Sequence, residues 1–305
     1  MTGESWVPAA TLLALVMFSI GLSLPSGVAL IPDRTQRRLL WQASLLQWLG
    51  LPLLALMWIV LIKPSSSVAL ALWLVAATPG GYSLLTFALL GRTDLAFATQ
   101  LSLASTVSKL LLTPLLWLAG TGSGLIVAQT QTPNPWLLTR ELAWVLPALL
   151  LPLALGTPLA HKLAPSPLAA LQRLTQAITA ICLLVALTQA AGHLAWPGSA
   201  ALAPVAGIVI AHHASACLLG YLLGRALHLP QTTRRSLTLA AGTFNAGLAA
   251  PLALVVFPQD GLALLTLAFW MFWRLLVGAS LSLCWRWPLP WRNAVAVTAT
   301  AEVRP

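Results

Sequence analysis

Two cations stand in long apolar runs with no acid nearby. They are Lys109 and Arg274. The chain has sixteen Lys and Arg against six Asp and Glu. The other fourteen basic residues lie in the polar connections between apolar runs, and all six acids (Glu4, Asp33, Asp94, Glu141, Asp260 and Glu302) lie near them. A cation with no carboxylate beside it calls for an anionic partner. A guanidinium is suited to a carboxylate because its planar fork binds both oxygens. Trp270, one helical turn before Arg274, could stack on it. The competing reading has Arg274 bonding free carbonyls of an interrupted helix. Seven residues turn a helix by about 700°, so Ser102 and Lys109 share a face within about 20°. Ser105 lies on that face and Thr106 beside it. His212 and His213 are adjacent, and imidazoles titrate near neutral pH, so the pair could relay protons. A satisfied core histidine is the plainer alternative. Ser83 and Asn245 each sit in a Gly- or Pro-rich interruption of an apolar run and join Arg274 and Trp270 as substrate-binding candidates.

The elements that must position these groups are membrane helices. Of 305 residues, 59% are apolar and 7% charged, with a mean hydropathy of +0.88. Soluble domains carry about 25% charged residues, and disorder needs low hydrophobicity and high charge. Nine apolar segments follow from turn residues and charges: 6–24, 38–62, 66–91, 94–119, 136–163, 170–193, 201–228, 233–257 and 261–287. Each is long enough for a helix crossing of roughly 20 residues and too uniformly apolar for a barrel strand. With the N-terminus outside, the inner loops and tail hold twelve Lys and Arg and the outer loops two, Lys63 and Arg140. That bias sets the orientation. It also accounts for the net charge of +10 and the pI near 11.1 without nucleic acid. Residues 1–7 carry no Lys or Arg, unlike a cleavable signal, so the first helix is expected to be retained.

On this layout Lys109 lies about 15 Å, and Arg274 about 20 Å, from the outer ends of their spans. A lone cation at such depth costs at least about 2.5–3.5 kcal/mol. Snorkelling to the outer surface is the alternative for Lys109. Cys182, Cys217 and Cys284 lie far apart in apolar runs and read as small hydrophobes. No HExxH, GxSxG, CxxC or phosphate-loop motif occurs, so neither enzyme chemistry nor a cofactor or metal is expected.

Two spans are interrupted. The third, 66–91, holds Thr78-Pro79-Gly80-Gly81-Tyr82-Ser83; the eighth, 233–257, holds Gly242-Thr243-Phe244-Asn245-Ala246-Gly247 and then Pro251. Breaks at mid-span free backbone groups that must line protein or a watery cavity. Paired breaks in corresponding halves point to a transporter binding site. If an ancestral first helix is missing, each break falls in the fourth helix of a five-helix half, and halves of odd helix number are inverted in the membrane.

These strings resemble the bile acid:sodium symporter family, in a divergent bacterial-type form. Ala14-Leu15-Val16-Met17-Phe18-Ser19-Ile20-Gly21-Leu22-Ser23-Leu24 is similar to its first shared helix. Pro79-Gly80-Gly81 with Gly91-Arg92-Thr93-Asp94-Leu95-Ala96 resembles its "PGG…(K/R)GD" segment. Ser105-Thr106 and Thr113-Pro114-Leu115-Leu116 continue the likeness. His212, Gly220-Tyr221, Leu237-Thr238-Leu239 and Asn245-Ala246-Gly247-Leu248-Ala249 resemble the later helices. The resemblance implies an all-α integral membrane fold with core and panel domains, two crossed broken helices and an inverted repeat. It also implies organic-anion transport by rocking of one domain against the other. Residues 1–119 would form a first half-repeat lacking the family's first helix, 120–135 a polar outer loop, 136–287 the second half-repeat and 288–305 a cytoplasmic tail.

The departures from the family concern sodium. Its Ser-Asn ligand positions hold Leu84 and Leu85, its Glu position Ala240 and its Gln position Phe244. Of two hydroxyl positions, one holds Ala98 and one keeps Ser102. Hard cations need several oxygen ligands, so sodium coupling is not expected. Lys109 would substitute for the ion, with Ser102, Ser105 and Thr106 around it. Arg274 aligns with a family His beside the substrate crevice. The expected function is a secondary transporter of a small carboxylate or sulfate in a bacterial-type inner membrane, partnered by lipid. A non-transporting sensor or assembly subunit on the same scaffold is the alternative. An arsenite- or auxin-type carrier fits the topology but not the strings.

Overall fold

The computed structural model describes residues 34–78, 80, 83–122, 199–244 and 260–286, with scattered residues in 11–22, 147–181 and 249–257. Every regular element among them is helical. Helix α1 (Arg34–Leu45) runs through a π turn, Leu46–Gly50, into α2 (Leu51–Ile62). Pro52 brings no N–H to the ladder, and the N–H of Leu51 donates to the carbonyl of Leu46, five residues back. The third span divides into α3 (Ser66–Ala77) and α4 (Ser83–Leu90). Then follow α5 (Leu95–Gly122), α6 (Leu202–Ala226), α7 (Gln231–Gly242) and α8 (Gly261–Arg286). Residues 154–162 and 165–175 are also helical, so the sixth expected span begins about five residues earlier than its apolar run.

Three helices among the described residues are long and apolar enough to cross a membrane: Gln36–Ile62, Leu202–Ala226 and Gly261–Arg286. Trp41, Leu45, Leu49, Leu53 and Met57 recur every four residues along α1 and α2 and are all exposed. Such a stripe is a liability in water and an ordinary lipid-facing surface in a bilayer. Helix α3 is the opposite case. Every residue from Ser67 to Ala77 is buried, as expected for a helix apolar all round. Its side chains join those of α6 and α8 in one core around Leu72, Val209 and Trp270.

Helix α5 is 28 residues long and carries a run of polar side chains. Thr99, Gln100, Ser102, Ser105, Thr106, Lys109 and Thr113 are all buried in the protein. A polar helix shielded in this way can spend its side chains on its neighbours' backbone, which is what α5 does at the site described below.

Asp94 ties the start of α5 to the start of α7. Its Oδ1 accepts the N–H of Phe97 at 3.0 Å, an N-cap, and its Oδ2 accepts Thr233 Oγ1 at 2.7 Å. Ser236 Oγ adds bonds to Thr93 Oγ1 and to the carbonyl of Asp94. Losing a cap and a charge-assisted bond together costs about 2 kcal/mol. Asp94→Ala should therefore lower the unfolding temperature of the purified protein by several degrees, and Asp94→Asn, which keeps an acceptor, by clearly less. Equal melting of Asp94→Ala and wild type would refute this account of the junction.

Candidate functional site

Both helix breaks begin in the same way. Thr78, after α3, and Thr243, after α7, have extended backbone. Each hydroxyl turns back onto its helix: Thr78 Oγ1 donates to the carbonyl of Val75 and Thr243 Oγ1 to that of Leu239, both at 2.8 Å. The two breaks meet across one small cavity of about 20 Å³, room for about one water-sized group. Thr78 and Gly80 line it from one break, and Thr243 and Phe244 from the other. Gln47 of the π turn, His212 of α6 and Trp270 of α8 complete its polar lining.

A face of α5 holds the first break in place. Ser105, Lys109 and Thr113 are spaced four residues apart, so they lie along one side of the helix. Ser105 Oγ accepts the N–H of Gly80 at 2.9 Å. Lys109 Nζ donates to the carbonyl of Ala76 at 2.7 Å, and Thr113 Oγ1 to that of Ala77 at 2.6 Å. The last carbonyls of a helix have no partner within it and carry its negative end. An ammonium supplied from another helix meets both needs. Lys109 is 1% exposed, so it does not snorkel. Of its expected companions, Ser105 takes part. Thr106 spends its hydroxyl on the carbonyl of Ser102 within α5, and Ser102 is buried. The missing companion is Thr113, one further turn along the same face.

Arg274 is 7% exposed on α8. Its Nη1 donates to Ser83 Oγ at 2.7 Å, at the first residue of α4. The expected stacking on Trp270 is not what the structure has. The guanidinium lies 5.4 Å from the centre of the Phe244 ring. Trp270 is instead boxed by the rings of His212, His213 and Phe244, at centroid distances of 5.6, 5.1 and 4.7 Å. With those three rings against the indole, the cation finds its aromatic face on Phe244, a residue whose only expected consequence was the loss of a sodium ligand. Asn245 lies outside the described residues.

The histidines have separate surroundings. His213 approaches Cys217 Sγ at 3.9 Å and stands at the C-terminal end of α7, where a side chain on Gly242 would collide with Cys217 and crowd the imidazole. His212 faces the cavity, and neither ring nitrogen has a hydrogen-bond partner among the described residues.

Gln47 is a further lining residue that no charge or motif singles out in the sequence. Its Nε2 donates to the carbonyl of Ala240 at 3.3 Å, joining the π turn to α7. The signal was present as one of two amides, with Gln42, in the 38–62 apolar run, five residues before Pro52.

The sequence matches the Sodium Bile acid symporter family over residues 10–195. That stretch contains Gln47, the first break and all of α5; α6, α7 and α8 lie beyond it. A search of curated proteins gives no match. The matched stretch is more than half of the chain, in a protein built of apolar helices with an interrupted span. The chain belongs to the sodium bile acid symporter family, a family of membrane transporters.

Proposed function

We propose that this protein is a secondary transporter that carries a small organic anion by alternating access and does so without sodium. The seat of Lys109 is the observation behind this reading. The family's coupling ion needs several oxygens, and the side chains of Leu84, Leu85, Ala98, Ala240 and Phe244 supply none. A buried ammonium bonded to the carbonyl of Ala76 places a positive charge beside the break without a bound ion. Arg274, held by Ser83 at the N-terminal end of α4, is the seat for a carboxylate or sulfate, with Trp270 on the same helix; Asn245 is assigned to the same role from the sequence alone. The start of α4 adds partial positive charge there. Ser105 shares the Lys109 face, Ser102 and Thr106 are buried on the same helix around it, and His212 and His213 are the residues available for a proton route.

In this reading the chain has nine spans in two inverted halves, 1–119 and 136–287, joined by the 120–135 loop. The N-terminus is outside and the 288–305 tail inside a bacterial-type plasma membrane, and a core rocks against a panel.

The test is uptake into proteoliposomes of a panel of radiolabelled carboxylates and sulfates, in sodium and in choline buffer. Uptake of at least one anion at equal rates in the two buffers is the expected result. Sodium stimulation of several-fold, saturating with concentration, would overturn the sodium-free part. Binding of an anion with no uptake in either buffer would favour the sensor reading.

A further inference from the structure

The cavity between the two breaks holds more unmet hydrogen-bonding capacity than a core tolerates. Gln47, His212 and Trp270 are each at least 97% buried and all line it. Gln47 Oε1, both ring nitrogens of His212 and Trp270 Nε1 have no partner among the described residues. Buried polar side chains are satisfied in the great majority of cases, and each that is not costs the full desolvation penalty of the group. Three such residues on one cavity point to an occupant.

Their chemistry says what kind. The amide of Gln47 already gives its N–H₂ to the carbonyl of Ala240, so its oxygen is left to accept. The indole of Trp270 can only donate. A neutral imidazole donates from one nitrogen and accepts at the other. The hydroxyls of Thr78 and Thr243 have donated to their own helices and keep lone pairs. No charged side chain lines the cavity among the described residues. A cation would meet the indole N–H with the wrong polarity, and a carboxylate would face the oxygen of Gln47. A group that both donates and accepts, and carries no charge, satisfies all three residues.

We infer that the cavity formed by Gln47, His212 and Trp270 between the two breaks is a binding site for an uncharged hydroxyl group. The hydroxyl comes either from an ordered water or from a hydroxylated molecule in transit. Arg274 lies against Phe244, which forms part of the cavity wall. A hydroxylated acid is therefore the probe that tests both sites at once. The cavity itself is argued from its own lining and does not depend on the anion reading of Arg274.

The test uses the full-length protein in detergent, with three kinds of probe: lactate and 3-hydroxybutyrate, their deoxy counterparts propionate and butyrate, and the neutral 1,2-propanediol. Affinities are read by calorimetry in wild type, Gln47→Leu and His212→Phe. A high-resolution structure without added ligand is determined in parallel, which does not depend on how well the variants fold. If the site takes a substrate hydroxyl, a hydroxy acid binds about tenfold tighter than its deoxy partner, and the advantage disappears in both variants. If the occupant is water, the paired acids bind alike and the structure shows a solvent peak within hydrogen-bond distance of Gln47 Oε1 and Trp270 Nε1. Paired acids binding alike with the cavity empty would overturn the proposal and leave the anion reading standing. If no acid binds, the anion reading falls instead. The cavity is then decided by propanediol binding lost in Gln47→Leu, or by the solvent peak, and the absence of both refutes it. A sodium ion found on Gln47 would refute it outright.

Discussion

Lys109→Met should reduce transport at least tenfold while leaving the melting temperature within a few degrees of wild type. Two opposing terms set the stability. The carbonyl of Ala76 loses its donor, which costs about 1–3 kcal/mol, and the end of α3 loses a charge that complements its dipole, worth up to about 2 kcal/mol. Against this, methionine escapes the desolvation of an ammonium that is 1% exposed, a penalty of several kcal/mol. The sums are comparable, so the folded population changes little. The charge itself does not cancel, because Lys109 is the cation bonded at the end of α3 among the described residues. Thr113→Val is the matched control. It removes a bond of similar length to the next carbonyl, Ala77, costs about 1 kcal/mol and should leave transport intact. Lys63→Met, an exposed lysine beyond the end of α2, should change neither. Wild-type rates in Lys109→Met would show that the lysine serves only as a helix cap.

Where the sequence could be read and where it could not follows from the range of the interactions. The breaks were visible because Gly and Pro at mid-span have few explanations, and Thr78 and Gly242 mark their edges in the structure. Lys109 and Arg274 were visible because a charge in an apolar run has a large cost that must be met somewhere. The partners that meet it were not. Ala76 offers a backbone carbonyl, which every residue has, so only the packing of α5 against α3 selects it. Phe244 was conspicuous for the oxygen it lacks, and its ring as a platform for Arg274 depends on α7 and α8 coming together. Gln47 needed the π turn, which places its amide between α7 and the cavity. Helix periodicity of 3.6 put Ser102 in the Lys109 group, whereas the face in use drifts through Ser105 and Thr113 towards the break. Local pattern thus identified which residues were costly, and tertiary contact decided what each one met.

Arg274→Gln should weaken binding of a carboxylate about a hundredfold, and Arg274→Lys about tenfold. A guanidinium approaches a carboxylate with two parallel N–H donors, and charge-assisted bonds of this kind are worth about 1.5–3 kcal/mol each. Lysine keeps the charge and loses the fork. It also loses the flat face that rests on Phe244 at 5.4 Å, so part of the orientation goes with it. Glutamine keeps one N–H₂ group and no charge. Ser83→Ala removes the acceptor that holds Nη1 at 2.7 Å and should cost only about threefold, because the residue orients the guanidinium without carrying charge. The order Gln, Lys, Ala at these two positions is therefore the informative quantity, read as dissociation constants by calorimetry on the detergent-solubilised protein. Burial keeps counter-ions away from Arg274, so raising salt from 50 to 500 mM should change the wild-type constant far less than it would for a surface site. A different order, or an anion bound by Arg274→Gln as tightly as by wild type, would mean that Arg274 braces the start of α4 and that the anion is held elsewhere.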